Sequence, residues 1–112
     1  MFKDFDKNFN ELKTNKTIDN KELKYDDGRY IGEVVNGKKE GKGIYYYNNG
    51  NRYEGDWKND NKEGKGIYYY ANGDRYEGDF KDGLFEGKGI MYYNNGEIKK
   101  GNFRAGKYIE NK

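Results

Sequence analysis

From Arg52 to Lys58 the chain reads RYEGDWK, with Tyr53, Gly55 and Trp57 on one parity and Arg52, Glu54, Asp56 and Lys58 on the other. Strict alternation of this kind belongs to a strand with one buried face, because successive side chains point to opposite sides. GKGIYYY, Gly64 to Tyr70, alternates again. It puts Gly64, Gly66, Tyr68 and Tyr70 on one face and Lys65, Ile67 and Tyr69 on the other. Between such stretches lie Asn36-Gly37, Asn59-Asp60-Asn61 and Asp82-Gly83. These are tight hairpin turns, since their residues accept positive φ at little cost. Asn48 to Gly50, Ala71 to Gly73 and Asn94 to Gly96 then turn each hairpin into the next. The pattern predicts an all-β meander of short antiparallel hairpins.

The alternation recurs with a period of 23 residues, in several columns at once. Tyr30, Tyr53 and Tyr76 form one column, and Gly32, Gly55, Gly78 and Gly101 the next. Val34, Trp57, Phe80 and Phe103 follow, then Gly41, Gly64 and Gly87, then Gly43, Gly66 and Gly89, then Ile44, Ile67 and Ile90. Fixed self-similarity at this spacing is the signature of stacked repeats. Glycine inside a strand weakens it unless another group approaches its backbone closely. Glycines in phase with the rings therefore predict sockets, Gly64 and Gly66 among them, into which Tyr, Trp or Phe can lie.

Composition strengthens that reading. Only 32% of the 112 residues are hydrophobic and 38% are charged, yet there are thirteen Tyr, six Phe and one Trp. Aliphatic residues are too few for an ordinary core, so the rings must supply it. Before the repeats, Phe2, Phe5, Phe9 and Leu12 are spaced to line one face of a helix. That predicts an amphipathic helix over residues 1–13, acting as a cap on the first hairpin or as a docking element. Residues 14–24 read as a polar linker. The ribbon is expected over 25–112, in units of about 30–52, 53–75 and 76–98 with a partial one at 99–112. Leu84 and Phe85 interrupt an otherwise polar loop column, as an apolar tip that either folds back or meets a partner.

The pattern Y-x-G-x-W/F, then G-x-G, then a turn with N-G, is similar to the MORN repeat (membrane occupation and recognition nexus). RYEGDWKNDNKEGKGIYYYANG, Arg52 to Gly73, shows it most completely. The resemblance implies an elongated, twisted antiparallel ribbon of stacked hairpins. It implies structural roles for Tyr30, Gly32, Tyr53, Gly55, Trp57, Gly64, Gly66, Tyr76, Gly78, Phe80, Gly87, Gly89, Gly101 and Phe103. Val34 in place of an aromatic, and Lys99 in place of Tyr, depart from the pattern at the two ends, where capping units are atypical. Such repeats are non-catalytic modules within proteins of varied function, so the resemblance implies binding or scaffolding and no particular ligand.

The chemistry points the same way. No Cys and no His are present, which removes thiol chemistry, Cys-based metal sites and the commonest general base. Carboxylate pairs such as Glu54 with Asp56 repeat along a solvated face, whereas an active site needs a unique constellation. No catalysis, cofactor, metal or small-molecule substrate is expected. A net charge of +2 gives no electrostatic funnel for nucleic acid. Lys42, Lys65 and Lys88 form a column that could meet anionic lipid headgroups. Glu40, Glu63 and Glu86, read as lying on the same strand face, and Glu33, Asp56 and Asp79 would offset it. The expected function is a protein-interaction or scaffold module. The alternatives are a membrane tether on anionic lipid, or a small subunit of a larger assembly anchored by its helix. Self-association or a protein partner is expected at Phe2, Phe5, Phe9 and Leu12, at Tyr46, Tyr69 and Tyr92, and at Leu84 and Phe85. Lacking an apolar leader or span, the chain is expected in the cytoplasm, with peripheral membrane or cytoskeletal attachment as further options.

Overall fold

The structure, a computed structural model, describes residues 19–109. The helix expected over 1–13, with Phe2, Phe5, Phe9 and Leu12, lies outside them. The described chain forms nine strands: β1 (Asp19–Tyr25), β2 (Gly28–Val35), β3 (Lys38–Tyr47), β4 (Arg52–Lys58), β5 (Asn61–Tyr69), β6 (Arg75–Lys81), β7 (Leu84–Tyr92), β8 (Ile98–Arg104) and β9 (Lys107–Ile109). They make one antiparallel sheet in chain order, open at β1 and β9. Each strand pairs with the next, so the sheet is a meander in a single layer.

Strand β1 corrects the expected linker over 14–24. It pairs with β2 from Asp19↔Val34 to Tyr25↔Gly28, so the ribbon begins at least six residues before residue 25. Nearly all of β1 is exposed. Only Leu23 and Tyr25 reach the core side, where Leu23 packs on the cluster and Tyr25 stacks on Tyr45, so DNKELKY alternates only at its end.

The two-residue turns follow from the chemistry of their residues. Asn36 and Gly37 have φ of 52° and 77°, Asn59 and Asp60 47° and 71°, and Asp82 and Gly83 50° and 84°. Two successive left-handed residues match the twist of the flanking strands. The turns at 59–60, 82–83 and 105–106 are each tied to the hairpin before. The Asp60, Gly83 and Gly106 amides donate to the carbonyls of Lys39, Lys62 and Phe85, each at 3.0 Å. Glu40, Glu63 and Glu86 add a second tie, accepting the amides of Asn59, Asp82 and Ala105 at 3.0, 3.1 and 2.9 Å.

Between Gly55↔Gly66 and Trp57↔Lys62 the register slips. Glu63, Gly64 and Lys65 bulge opposite the single residue Asp56. Gly64 has φ of 99°, and a Cβ there would meet the Asp56 carboxylate at 2.8 Å. Gly64, with Gly41 and Gly87 in its column, is therefore a bulge residue and does not seat a ring as expected. The second glycine does. A Cβ on Gly66 would stand 2.6 Å from Tyr53 Cζ, and one on Gly89 would stand 2.5 Å from Tyr76 Cζ.

That seating explains how a single sheet buries rings completely. Tyr30, Tyr53 and Tyr76 have no exposed surface. Each lies over a glycine of the following strand and donates its hydroxyl to a backbone carbonyl: Glu33 at 2.7 Å, Asp56 at 2.8 Å and Asp79 at 2.8 Å. Each also meets the aromatic ring of the next unit edge-on. The centroid distances are 5.3 Å for Tyr30–Trp57, 4.8 Å for Tyr53–Phe80 and 4.9 Å for Tyr76–Phe103. Edge-to-face packing aligns ring quadrupoles and adds to the area buried. Burial, reinforced by the Glu33 carboxylate, pushes the Tyr30 phenol up to about 12. Burial and Asp79 do the same to Tyr76, again to about 12.

Phe85 joins this core at 9% exposure, stacked on Tyr76 at 3.9 Å. It was expected at a loop tip, but the Asp82-Gly83 turn is so short that Leu84 already opens β7. From Leu84 the strand alternates, and Phe85 falls on the ring side while Leu84 stays 48% exposed. One period earlier the same place is taken by Lys62, and two periods earlier by Lys39. Both ammonium groups lie on the ring side.

Candidate interaction face

The side of the sheet opposite the rings is left uncovered by the described residues, since all nine strands lie in one layer. Three rows of side chains run across it, perpendicular to the strands. Pairing sets the first: Arg29↔Tyr46, Tyr46↔Arg52, Arg52↔Tyr69, Tyr69↔Arg75 and Arg75↔Tyr92. The result is an alternating ladder of guanidinium and phenol. Arg29 lies 4.6 Å from the centre of the Tyr46 ring, Arg52 3.9 Å from Tyr69, and Arg75 4.0 Å from Tyr92. Such contacts contribute about 0.5–1 kcal/mol each where exposed. Arg52 and Arg75 are also held by Glu54 and Glu77, at 2.8 and 2.7 Å. The Glu77 hydrogen bond raises the Arg75 pKa further, so its charge is permanent.

The second row runs Ile31, Ile44, Glu54, Ile67, Glu77, Ile90 and Lys100. The third holds the lysine column. Lys42 pairs with Asp56 and Lys65 with Asp79 across neighbouring strands. The same carboxylates accept the Lys65 and Lys88 amides at 3.0 and 3.1 Å, closing the bulges. Burial alone would raise the Asp56 pKa. The Lys42 ammonium and the Lys65 amide outweigh it and hold that carboxyl below its usual range. For Asp79 the Lys65 hydrogen bond is the leading cause of the same depression, against burial. The glutamates expected to flank the lysines are instead spent on the turns, because the glycine bulge re-aims residues 40, 63 and 86. The offsetting column is Glu33, Asp56 and Asp79, with Glu33 accepting the Lys42 amide at 2.9 Å.

Lys88 breaks the series. It pairs in register with Asn102, where the earlier units have Asp56 and Asp79. Lys100 likewise replaces the glutamate of the second row. Lys88 and Lys100 line a concavity of about 540 Å³ with Glu77, Ile90 and Asn102. Of the three candidate lipid-binding lysines, two are therefore neutralised across the sheet and one stands beside a second cation.

The structure thus brings Tyr46, Tyr69 and Tyr92 into one row, and leaves Leu84, paired with Lys81, exposed beside the Asp82-Gly83 turn on that same face. Phe85 is removed to the core. The arginines that cover the tyrosines were missed as site residues, although their columns were legible as the polar parity of RYEGDWK. Among the described residues, no helix is long and apolar enough to cross a membrane. The MORN repeat family model matches residues 30–52, 53–75 and 76–98, more than half of the chain and in the units drawn from the period. No curated protein matches the chain.

Proposed function

Because the chain belongs to the MORN repeat family, we propose that it works as a non-catalytic scaffold whose uncovered face docks a protein partner. The Arg–Tyr ladder supports this reading above all else. Tyrosine and arginine are the residues over-represented at the energetic centres of interfaces, and here they are held in place before any partner arrives. Preorganised side chains lose little rotamer freedom on binding. Lys42 and Lys65, paired with Asp56 and Asp79, present little net charge to an anionic surface.

A photo-reactive amino acid at position 69 tests this reading, with one at position 25, exposed on the ring side, as the comparison. Irradiated in its native cell, the protein should yield a discrete cross-linked species from 69 that is absent from 25. Replacing Tyr46, Tyr69 and Tyr92 by Ser should abolish it. Cross-linking equally from both faces would refute the assignment.

Lys88 and Lys100 favour a second reading, attachment to anionic lipid at the β7–β8 end. That reading requires cosedimentation with phosphatidylserine vesicles at physiological salt, lost on K88Q/K100Q.

A further inference from the structure

The repeat supplies its own template for a binding site. In the first unit, Lys39 is only 7% exposed. Its ammonium stands 4.4 Å from the centre of the Tyr25 ring and 5.3 Å from that of Trp57. A carboxylate completes the arrangement: Asp60 Oδ1 accepts the Lys39 amide at 2.8 Å and lies 3.3 Å from Nζ. One period later Lys62 occupies the equivalent place. Its Nζ donates to Tyr47 Oη at 2.7 Å and lies 5.4–5.9 Å from the ring centres of Tyr47, Tyr53, Tyr68 and Trp57.

The residue one period after Asp60 is Gly83, so the carboxylate has no counterpart. In its place is a pocket of about 260 Å³, lined by Lys62, Tyr68, Tyr70, Gly83, Leu84 and Phe85. A Cβ on Gly83 would meet nothing within 4 Å. Among the described residues Lys62 has no acidic partner, unlike Lys39. Burial, followed by repulsion from Lys39, holds its ammonium below the usual range, and the more distant Asp27 carboxylate only partly offsets them. A half-buried cation without a carboxylate beside it is costly, and an arriving anion recovers part of that cost.

We propose that this pocket receives a carboxylate from a protein partner, an acidic side chain taking beside Lys62 the place that Asp60 takes beside Lys39. The proposal rests on the interaction-module reading and adds to it a second contact, on the ring side of the sheet opposite the Arg–Tyr ladder. Size and lining favour a Glu or Asp side chain. The rings of Tyr68, Tyr70 and Phe85 in its lining suit a methylene stem, and the Lys62 cation suits one carboxylate.

The test uses the full chain labelled with ¹⁵N and two probes, N-acetyl-glutamate N-methylamide and its glutamine counterpart. The glutamate probe should shift the Lys62 and Gly83 amides saturably, with a dissociation constant on the order of millimolar for so small a ligand. The glutamine probe should bind roughly tenfold more weakly, for want of charge. Gly83→Asp should supply the carboxylate internally and abolish probe binding without unfolding, since Asp60 already adopts φ of 71° at the equivalent turn position. Gly37→Asp adds the same charge at a distant turn and should leave binding intact. Equal response to both probes, no saturable shift at Lys62, or full binding by the Gly83→Asp protein would each overturn the proposal. Cross-linking from position 69 does not pass through this pocket, so it decides the scaffold reading separately.

Discussion

Replacing Gly66 by Ala puts one methyl group under a ring that has nowhere to go. The added Cβ would stand 2.5 Å from Tyr53 Cε1 and 2.6 Å from Cζ, where carbon atoms in contact prefer about 3.5–4.0 Å. Tyr53 cannot recede. It is fully buried, tethered by its hydroxyl to the Asp56 carbonyl at 2.8 Å, and wedged edge-on between Trp57 at 5.1 Å and Phe80 at 4.8 Å. Backbone strain does not enter, because Gly66 is not among the residues with positive φ. Overpacking of this kind costs about 1–3 kcal/mol. Complete expulsion of the ring would approach the ~3–5 kcal/mol lost when a large aromatic is deleted. Either is a large share of a domain stability of about 5–15 kcal/mol. The mechanism is isolated by a double-mutant cycle with Tyr53→Ala, which removes the obstruction. In that background Gly66→Ala should cost little, giving a coupling of about 1–3 kcal/mol. Urea unfolding followed by the fluorescence of Trp57, the sole tryptophan, reports both terms at the ring concerned. A Gly66→Ala cost below ~0.5 kcal/mol, within the range of neutral surface changes, or strict additivity with Tyr53→Ala, would refute the socket.

Alkali should dissolve the ribbon through the same rings. Tyr30 and Tyr76 are pushed up to about 12 from an unfolded value near 10, so the stability they contribute is fully present below pH 10 and is lost as pH rises toward 12. The melting temperature should fall across that window, with tyrosinate absorbance from the buried rings arriving only with unfolding; titration near 10 in an intact fold would contradict this. Phe85→Ala should destabilise by about 3–5 kcal/mol, whereas Leu84→Ser should stay within ±0.5 kcal/mol, both read from urea midpoints. Equal effects would mean that Phe85 is not the core residue its stacking on Tyr76 makes it.

Periodicity made most of the architecture legible before any coordinates. Each column that mixes ring and glycine at the strand period marks a place where two backbones and a ring must share space, and Tyr53 over Gly66 is that place. What the alternation could not reveal lies where it fails locally. The bulge at Gly64 inserts residues without disturbing the 23-residue count, so counting parity through it misplaced Glu63 beside Lys65, when the glutamate reaches the Asp82 amide instead. Strand β1 sends only Leu23 and Tyr25 to the core side, too short a pattern to mark its start at Asp19. In the sequence Phe85 stays open between folding back and meeting a partner, for a different reason. The polar residues at equivalent positions give no sign of a buried place, because they are two lysines turned to the ring side.

Those lysines show how a repeat protein separates structure from use. A column that must fill a socket keeps one kind of residue, and the Tyr30, Tyr53 and Tyr76 column does. The column of Lys39, Lys62, Phe85 and Tyr108 changes chemistry along the sheet, and the turn column of Gly37, Asp60, Gly83 and Gly106 changes with it but out of step. Where the two columns agree, as at Lys39 with Asp60, the cation is neutralised and closed off at 7% exposure. Where Phe85 replaces the lysine, an aromatic stack closes the site without charge. Only Lys62 with Gly83 has the cation without its counter-ion and an open pocket beside it. The identical scaffold on either side shows that nothing in the fold requires that vacancy, since the neighbouring unit fills it with one aspartate at the same backbone conformation. A position that the fold could satisfy, and that this chain leaves unsatisfied, is where a partner's carboxylate gains the most from arriving.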